Sequence, residues 1–164
     1  MKHRVRVAAI IVREGRVLAH EAAGRDGLYH ALPGGKLEPG EAADECLRRE
    51  LLEEFAAEIA VGRLLYVAEG WWLDGKRGDK PRHELALYYL ARLADPGAAI
   101  RSREPRIAAA WLDLRDGLGR LLPGWLRGEL ARRAAEDWAG PARLVSADER
   151  PAPARPLAIS DLGA

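Results

Sequence analysis

The chain has 164 residues, 48% of them hydrophobic and 31% charged, with a formal net charge of +1. That is enough chain for one domain with its own core, and too little net charge for a protein whose main work is gripping a nucleic-acid backbone. The single cysteine, Cys46, excludes an intramolecular disulfide and a thiolate metal cluster.

The first segment, "MKHRVRVAAIIVREGRVL", has only a short apolar run, broken by Arg13, and lacks the longer core and cleavage site of a signal peptide. No stretch approaches the ~20 apolar residues that span a bilayer, so a cytoplasmic protein without a membrane partner is expected. Within that segment "RVRVAAIIV" is β-branched and reads as a strand, and "REG" turns the chain into a second strand, "RVLAH". A loop, "AAGRDG", and a brief extended piece, "LYHAL", lead to the Pro-Gly stretch around residues 33–40. Residues 41–55 contain neither Gly nor Pro and set Ala43, Leu47 and Leu51 at i, i+4 and i+8, which is one apolar helical stripe.

"EIAVGRLLYVAEGWWL" reads as a long strand or a bent hairpin arm, and "DGKRGDKPR" as a polar loop. "HELALYYLARL" and "RIAAAWLDL" are further strands. "PGWLRGELARRAAEDWA" predicts a second helix with Pro123 near its first turn. The final "SADERPAPARPLAISDLGA", with Pro151, Pro153 and Pro156, predicts an extended surface tail. Mixed strands with two helices give an α/β or α+β domain rather than a βαβ array.

The first helix holds the unusual chemistry. Glu50 and Glu54 are i, i+4, and Glu53 adjoins Glu54, so three carboxylates converge on one patch. Like charges at that spacing oppose a helix by ~0.2–0.5 kcal/mol per pair. The i, i+4 pairs Glu45–Arg49 and Arg49–Glu53 would explain part of the charge as a solvated, salt-bridged face. A hard divalent cation would turn the repulsion into attraction, because Mg²⁺ seeks oxygen ligands. The "PGG" just upstream lets backbone approach a ligand closely, so a carbonyl near Gly35 could be a further oxygen donor. A metal held this way neutralises phosphate charge and activates water, which points to attack at a phosphorus centre.

The spacing resembles the Nudix box, G-x5-E-x7-R-E-U-x-E-E-x-G-U with U a bulky aliphatic. The chain matches at Gly35, Glu41, Arg49, Glu50, Leu51, Glu53 and Glu54, and departs at Ala56 (Gly in the pattern) and Ala57 (a larger aliphatic). A glycine there would supply a left-handed helix end, so with Ala56 the helix is expected to end differently or run longer. The flanks are similar to the family over residues 4–140. The resemblance implies a Nudix-type α/β/α sandwich around a mixed sheet, with residues 1–145 as the hydrolase domain and 146–164 as a Pro/Ala-rich tail. It also implies Mg²⁺- or Mn²⁺-dependent hydrolysis of a small nucleoside diphosphate derivative, in a homodimer, with nucleic acid not expected as a partner.

Carried over by position, Glu50, Glu53, Glu54 and the Gly35 carbonyl would be the metal ligands, with Arg49 orienting Glu50 through an ion pair that could include Glu41. The general base would be Glu53, Glu54 or a later glutamate. Glu84 is the choice among later ones, a salt bridge with Arg82 being its alternative role, and Glu104 is the weaker substitute. For substrate, Lys36 would contact a terminal phosphate and Arg77 a phosphate from the following loop. Trp71 and Trp72 point to opposite faces of a strand, so at most one stacks on a base. His83, Cys46 and one of Tyr88 and Tyr89 read as structural.

The tags of ADP-ribose, dinucleoside polyphosphate, coenzyme A and NADH hydrolases are not evident, which leans towards simple nucleoside di- or triphosphates. Nucleotide sugars, dinucleoside polyphosphates and a non-catalytic nucleotide sensor are the alternatives.

Overall fold

The computed structural model describes residues 2–74 and 78–163. In chain order the elements are β1 (Lys2–Arg13), β2 (Arg16–Gly24), β3 (Gly27–Ala31), β4 (Gly34–Lys36), α1 (Ala43–Phe55), β5 (Ile59–Asp74), β6 (Lys80–Leu93), β7 (Ile107–Asp113), β8 (Leu121–Leu122), α2 (Leu126–Ala135), β9 (Arg143–Asp148) and β10 (Ala158–Asp161). The strands run β10–β9–β5–β6–β1–β2–β3–β8, with β4 beside β1 and β7 beside β2. The β1/β6, β5/β9 and β3/β8 pairs are parallel and the others antiparallel, so the sheet is mixed.

β1 is the spine of this sheet. Val7, Ala9 and Ile11 pack towards α1, while Ala8 and Ile10 pack towards α2. A strand covered on both faces reads as a continuous apolar run, which is why "VAAII" lacks a period of two. Glu14 and Gly15, with φ of 51° and 72°, make the tight turn into β2. One helix lies on each face, giving the α/β/α sandwich that the resemblance implies.

On α1, Cys46, Leu47, Leu51 and Phe55 are buried against β1 and neighbouring strands. Each fully buried leucine contributes about 1.5–3 kcal/mol, and Leu51→Ala would loosen this face. The Glu45 carboxylate accepts the Ala42 N–H at 2.8 Å, covering one orphan amide of the first turn. At the other end Ala56 takes the left-handed conformation itself, φ 52° and ψ 33°. The expected change of exit does not occur. Its N–H reaches Leu52 O at 3.0 Å, the Ala57 N–H reaches Leu51 O at 3.2 Å, and Ala57 is buried. Anchoring on both sides overrides a strain of about 1 kcal/mol.

Two further expectations change. α2 is shorter than the sequence suggests, because Asp137 and Trp138 have positive φ and the Trp138 N–H folds back onto Arg133 O at 2.7 Å. The expected surface tail is partly sheet: β9 lies parallel to β5 and β10 antiparallel to β9, so a boundary after residue 145 falls inside β9. Val145 and Ala147 alternate into the α2-side core, a short signal that the following prolines mask. Among the described residues no helix is long and apolar enough to cross a membrane.

Candidate active site

Gly34 and Gly35 press β4 against β1. Gly34 has φ 133°, and a Cβ there would strike the Val7 carbonyl. At Gly35 a Cβ would overlap the Glu50 carboxylate, so the missing side chain is what lets α1 lay that acid on the strand. The Glu50 carboxyl is raised above the ordinary range, first by burial, with Glu54 and Glu53 adding to it against the opposing pull of Arg49.

Arg49 organises the cluster. Its Nε and Nη2 grip Glu41 at 2.7 and 3.0 Å as a two-pronged pair, and its Nη1 reaches Glu50 at 2.8 Å and Glu53 at 3.5 Å. The hydrogen bonds from Arg49 and from the Glu38 N–H hold the Glu41 carboxyl down at about 2. Glu53 is 60% exposed. The side chain of Glu54 is only 12% exposed. Its Oε2 accepts the Gly34 N–H at 3.3 Å and lies 3.2 Å from Nε2 of His20. Among the described residues no three His, Cys, Asp or Glu side chains are already gathered around one point. The donor set nevertheless fits a hard divalent cation: three carboxylates and a peptide carbonyl, with repulsion at Glu50 that such an ion would relieve.

The later acids are not equivalent. β1 lies between β4 and β6, and Glu84 is paired opposite Arg4, whereas Gly35 is opposite Val7. Glu84 is buried in an ion pair with Arg4, and Arg82 is taken by Asp74 at 2.9 Å, which corrects the expected Glu84–Arg82 bridge. The segment that does meet the box helix carries Glu104. The neighbouring Arg103 N–H donates to the Glu54 backbone carbonyl at 2.8 Å.

Trp71 is buried, its ring stacked on His83 at 4.8 Å and covered by the Arg155 guanidinium at 4.2 Å. Both its faces are taken, so it packs rather than offering a surface to a base. Trp72 is half-buried, with Arg4 5.4 Å from its ring. Lys36 is exposed beside Glu38 at 3.6 Å. Arg77 lies outside the described residues. His83 bridges His3 at 2.8 Å and Glu69 at 2.7 Å. Cys46 is buried, its thiol pushed up to about 12 by that burial, and Tyr88 is core.

Sequence reasoning misses His20, Arg4 and Arg155. Each meets a candidate site residue from a distant part of the chain, Arg4 at Glu84, Arg155 at Trp71 and His20 at Glu54, so spacing carries no trace of them.

A family model described as the NUDIX domain matches residues 2–132. A curated relative, the NAD-capped RNA hydrolase NudC of Chromobacterium violaceum, is 31% identical over 130 residues, which are 77% of this chain and 44% of that protein. The chain thus spans less than half the length of that relative. Among solved structures, the MutT NUDIX hydrolase from Burkholderia pseudomallei is 30% identical with a TM-score of 0.57, over 79% of this chain and 97% of that one. The E. coli ORF135 protein is 28% identical with a TM-score of 0.58, over 87% and 96%. A NUDIX hydrolase from Nitrosomonas europaea, 17% identical with a TM-score of 0.65 over 92% and 81%, shares the fold.

Proposed function

The chain belongs to the Nudix family, and from that premise we propose that it hydrolyses the diphosphate linkage of a nucleoside di- or triphosphate or a related nucleoside diphosphate derivative, with Mg²⁺ or Mn²⁺. The observation that carries this reading is the acid excess around Arg49: one guanidinium serves Glu41, Glu50 and Glu53, with Glu54 on the same turn. Glu50, Glu53, Glu54 and the Gly35 carbonyl would hold the cation. When bound, that ion supplies Lewis acidity and neutralises charge on the diphosphate oxygens.

The chain's own residues do the remaining work. Glu41, kept ionised, fixes Arg49, and Arg49 fixes Glu50 over Gly35. Exposed Glu53 would complete the ligand set, and it or Glu54 would take the proton from the attacking water. Glu104 is better placed than Glu84 for a supporting role, because its segment is tied to α1. Glu84 with Arg4 belongs with Trp72 in a polar wall for substrate, while Lys36 meets phosphate.

The test is incubation with Mg²⁺ or Mn²⁺ and a panel of nucleoside di- and triphosphates, ADP-ribose, nucleotide sugars, diadenosine polyphosphates and NAD⁺, with products separated by chromatography. Metal-dependent cleavage between two phosphates is the expected result. No turnover across the panel with either ion would overturn hydrolysis and favour a sensor. NAD⁺ is included because the NudC likeness makes an NAD-type dinucleotide the second reading. Preferential cleavage of NAD⁺ would select it.

A further inference from the structure

We infer that His20 is a positioning residue which holds the Glu54 carboxylate in place for the cation, an inference that rests on Glu54 being a ligand as proposed above. His20 stands on β2, which is paired on both sides, with β3 through Ala31 and with β7 through Ala109. Its backbone is therefore fixed independently of α1. The ring is fixed as well: it lies against Phe55 with centroids 4.7 Å apart and planes tilted by 50°. Nε2 is 3.2 Å from Oε2 of Glu54.

The contact is close yet off the ring's N–H axis, so Nε2 is buried with its hydrogen bond unspent. Such atoms are rare in folded proteins and call for a reason. Here the acid beside it supplies one. A glutamate on a helix has three torsions to lose before it can serve as a ligand. Glu54 meets two strands at once: its Oε2 accepts the Gly34 N–H of β4 and lies 3.2 Å from Nε2 of His20 on β2. Among the described residues Glu53, one residue earlier, is met by a long contact with Arg49 at 3.5 Å. The turn thus carries one enclosed acid and one exposed acid. Partners that orient a metal ligand typically account for about 10–100-fold in metal affinity.

The experiment measures Mn²⁺ affinity from the paramagnetic resonance signal of the free ion, using metal-stripped wild type, H20Q, H20F, H20N and E54Q. H20F keeps the packing on Phe55 but has no donor, H20N keeps an amide that is too short, and H20Q keeps an amide that reaches. H20F and H20N are expected to bind Mn²⁺ about 10-fold or more weakly. H20Q should stay within about twofold of wild type, and the melting temperature of H20F in EDTA should match wild type. H20N carries the comparison if H20F does not fold. Mn²⁺ binding within twofold of wild type by H20F or H20N, beside a large loss in E54Q, would overturn the role of His20 alone. Wild-type binding by E54Q would overturn Glu54 as a ligand, and this role with it.

Discussion

Glu50 on α1 and Glu129 on α2 lie at similar depth, with side chains 15% and 10% exposed, yet their carboxyls shift in opposite directions. Burial pushes both up. At Glu129 the hydrogen bonds from Arg132 and Arg143 outweigh that burial and hold the group below the ordinary range. Glu50 has one guanidinium, shared with Glu41 and Glu53, and two further carboxylates adding to the burial. Glu129 fastens α2 to β9. Glu50 is left with less positive charge than it needs, inside a rigid frame, and that deficit separates a site from structural glue.

The comparison would break most visibly at the deficit itself. E53Q or E54Q should lower kcat by at least about 10²-fold and leave the melting temperature in EDTA unchanged or slightly higher, since each removes a repelling charge. Steady-state kinetics and thermal melts check both halves, and wild-type rates in both variants would sink the site. The mirror experiment is E129Q. It should cost about 1–3 kcal/mol in urea unfolding by leaving two arginines under-partnered, with kcat per folded molecule unchanged. A large loss of activity there would erase the distinction between the two acids.

Acid titration sharpens the contrast around Arg49. Glu41 is held at about 2 against an ordinary 4.5. A carboxylate with a depressed folded value contributes stability above its unfolded value, and that contribution is lost as the pH falls through the folded one. Wild type should therefore exceed E41Q in stability by a constant amount above about pH 5. The gap should close between 4.5 and about 2, as read from urea midpoints across that range. The smallest effect is expected at the helix exit. A56G relieves the left-handed strain of about 1 kcal/mol but loosens the unfolded chain, for a net gain of about 0.5 kcal/mol in the same assay.

Much of the site is legible in the sequence because it is local. Glu41, Arg49, Glu50, Glu53 and Glu54 are placed by helical spacing and one glycine-rich turn, and the apolar stripe at Leu47 and Leu51 tells which side faces the core. What could not be read is whatever a distant strand contributes. Glu84 meets Arg4 because β6 runs parallel to β1, and His20 meets Glu54 because β2 passes under the end of α1. Trp71 and Trp72 are rightly assigned to opposite faces by alternation, but only the chain reversal that brings back Arg155 decides which one is covered. β9 escapes because six residues of alternating pattern are too few to outvote three prolines.

The pairing of Tyr66–Trp71 with Arg143–Asp148 also sets a timetable. As the nascent chain leaves the ribosome, the long β5 emerges far ahead of the strand that closes its outer edge. Until that strand arrives, a row of unpaired amides and carbonyls faces solvent or a neighbouring nascent chain, the geometry that seeds edge-to-edge aggregation. A version of the chain cut before residue 143 would keep every box residue and lose that cover. Self-association of that shortened chain is the expected outcome, and light scattering would check it.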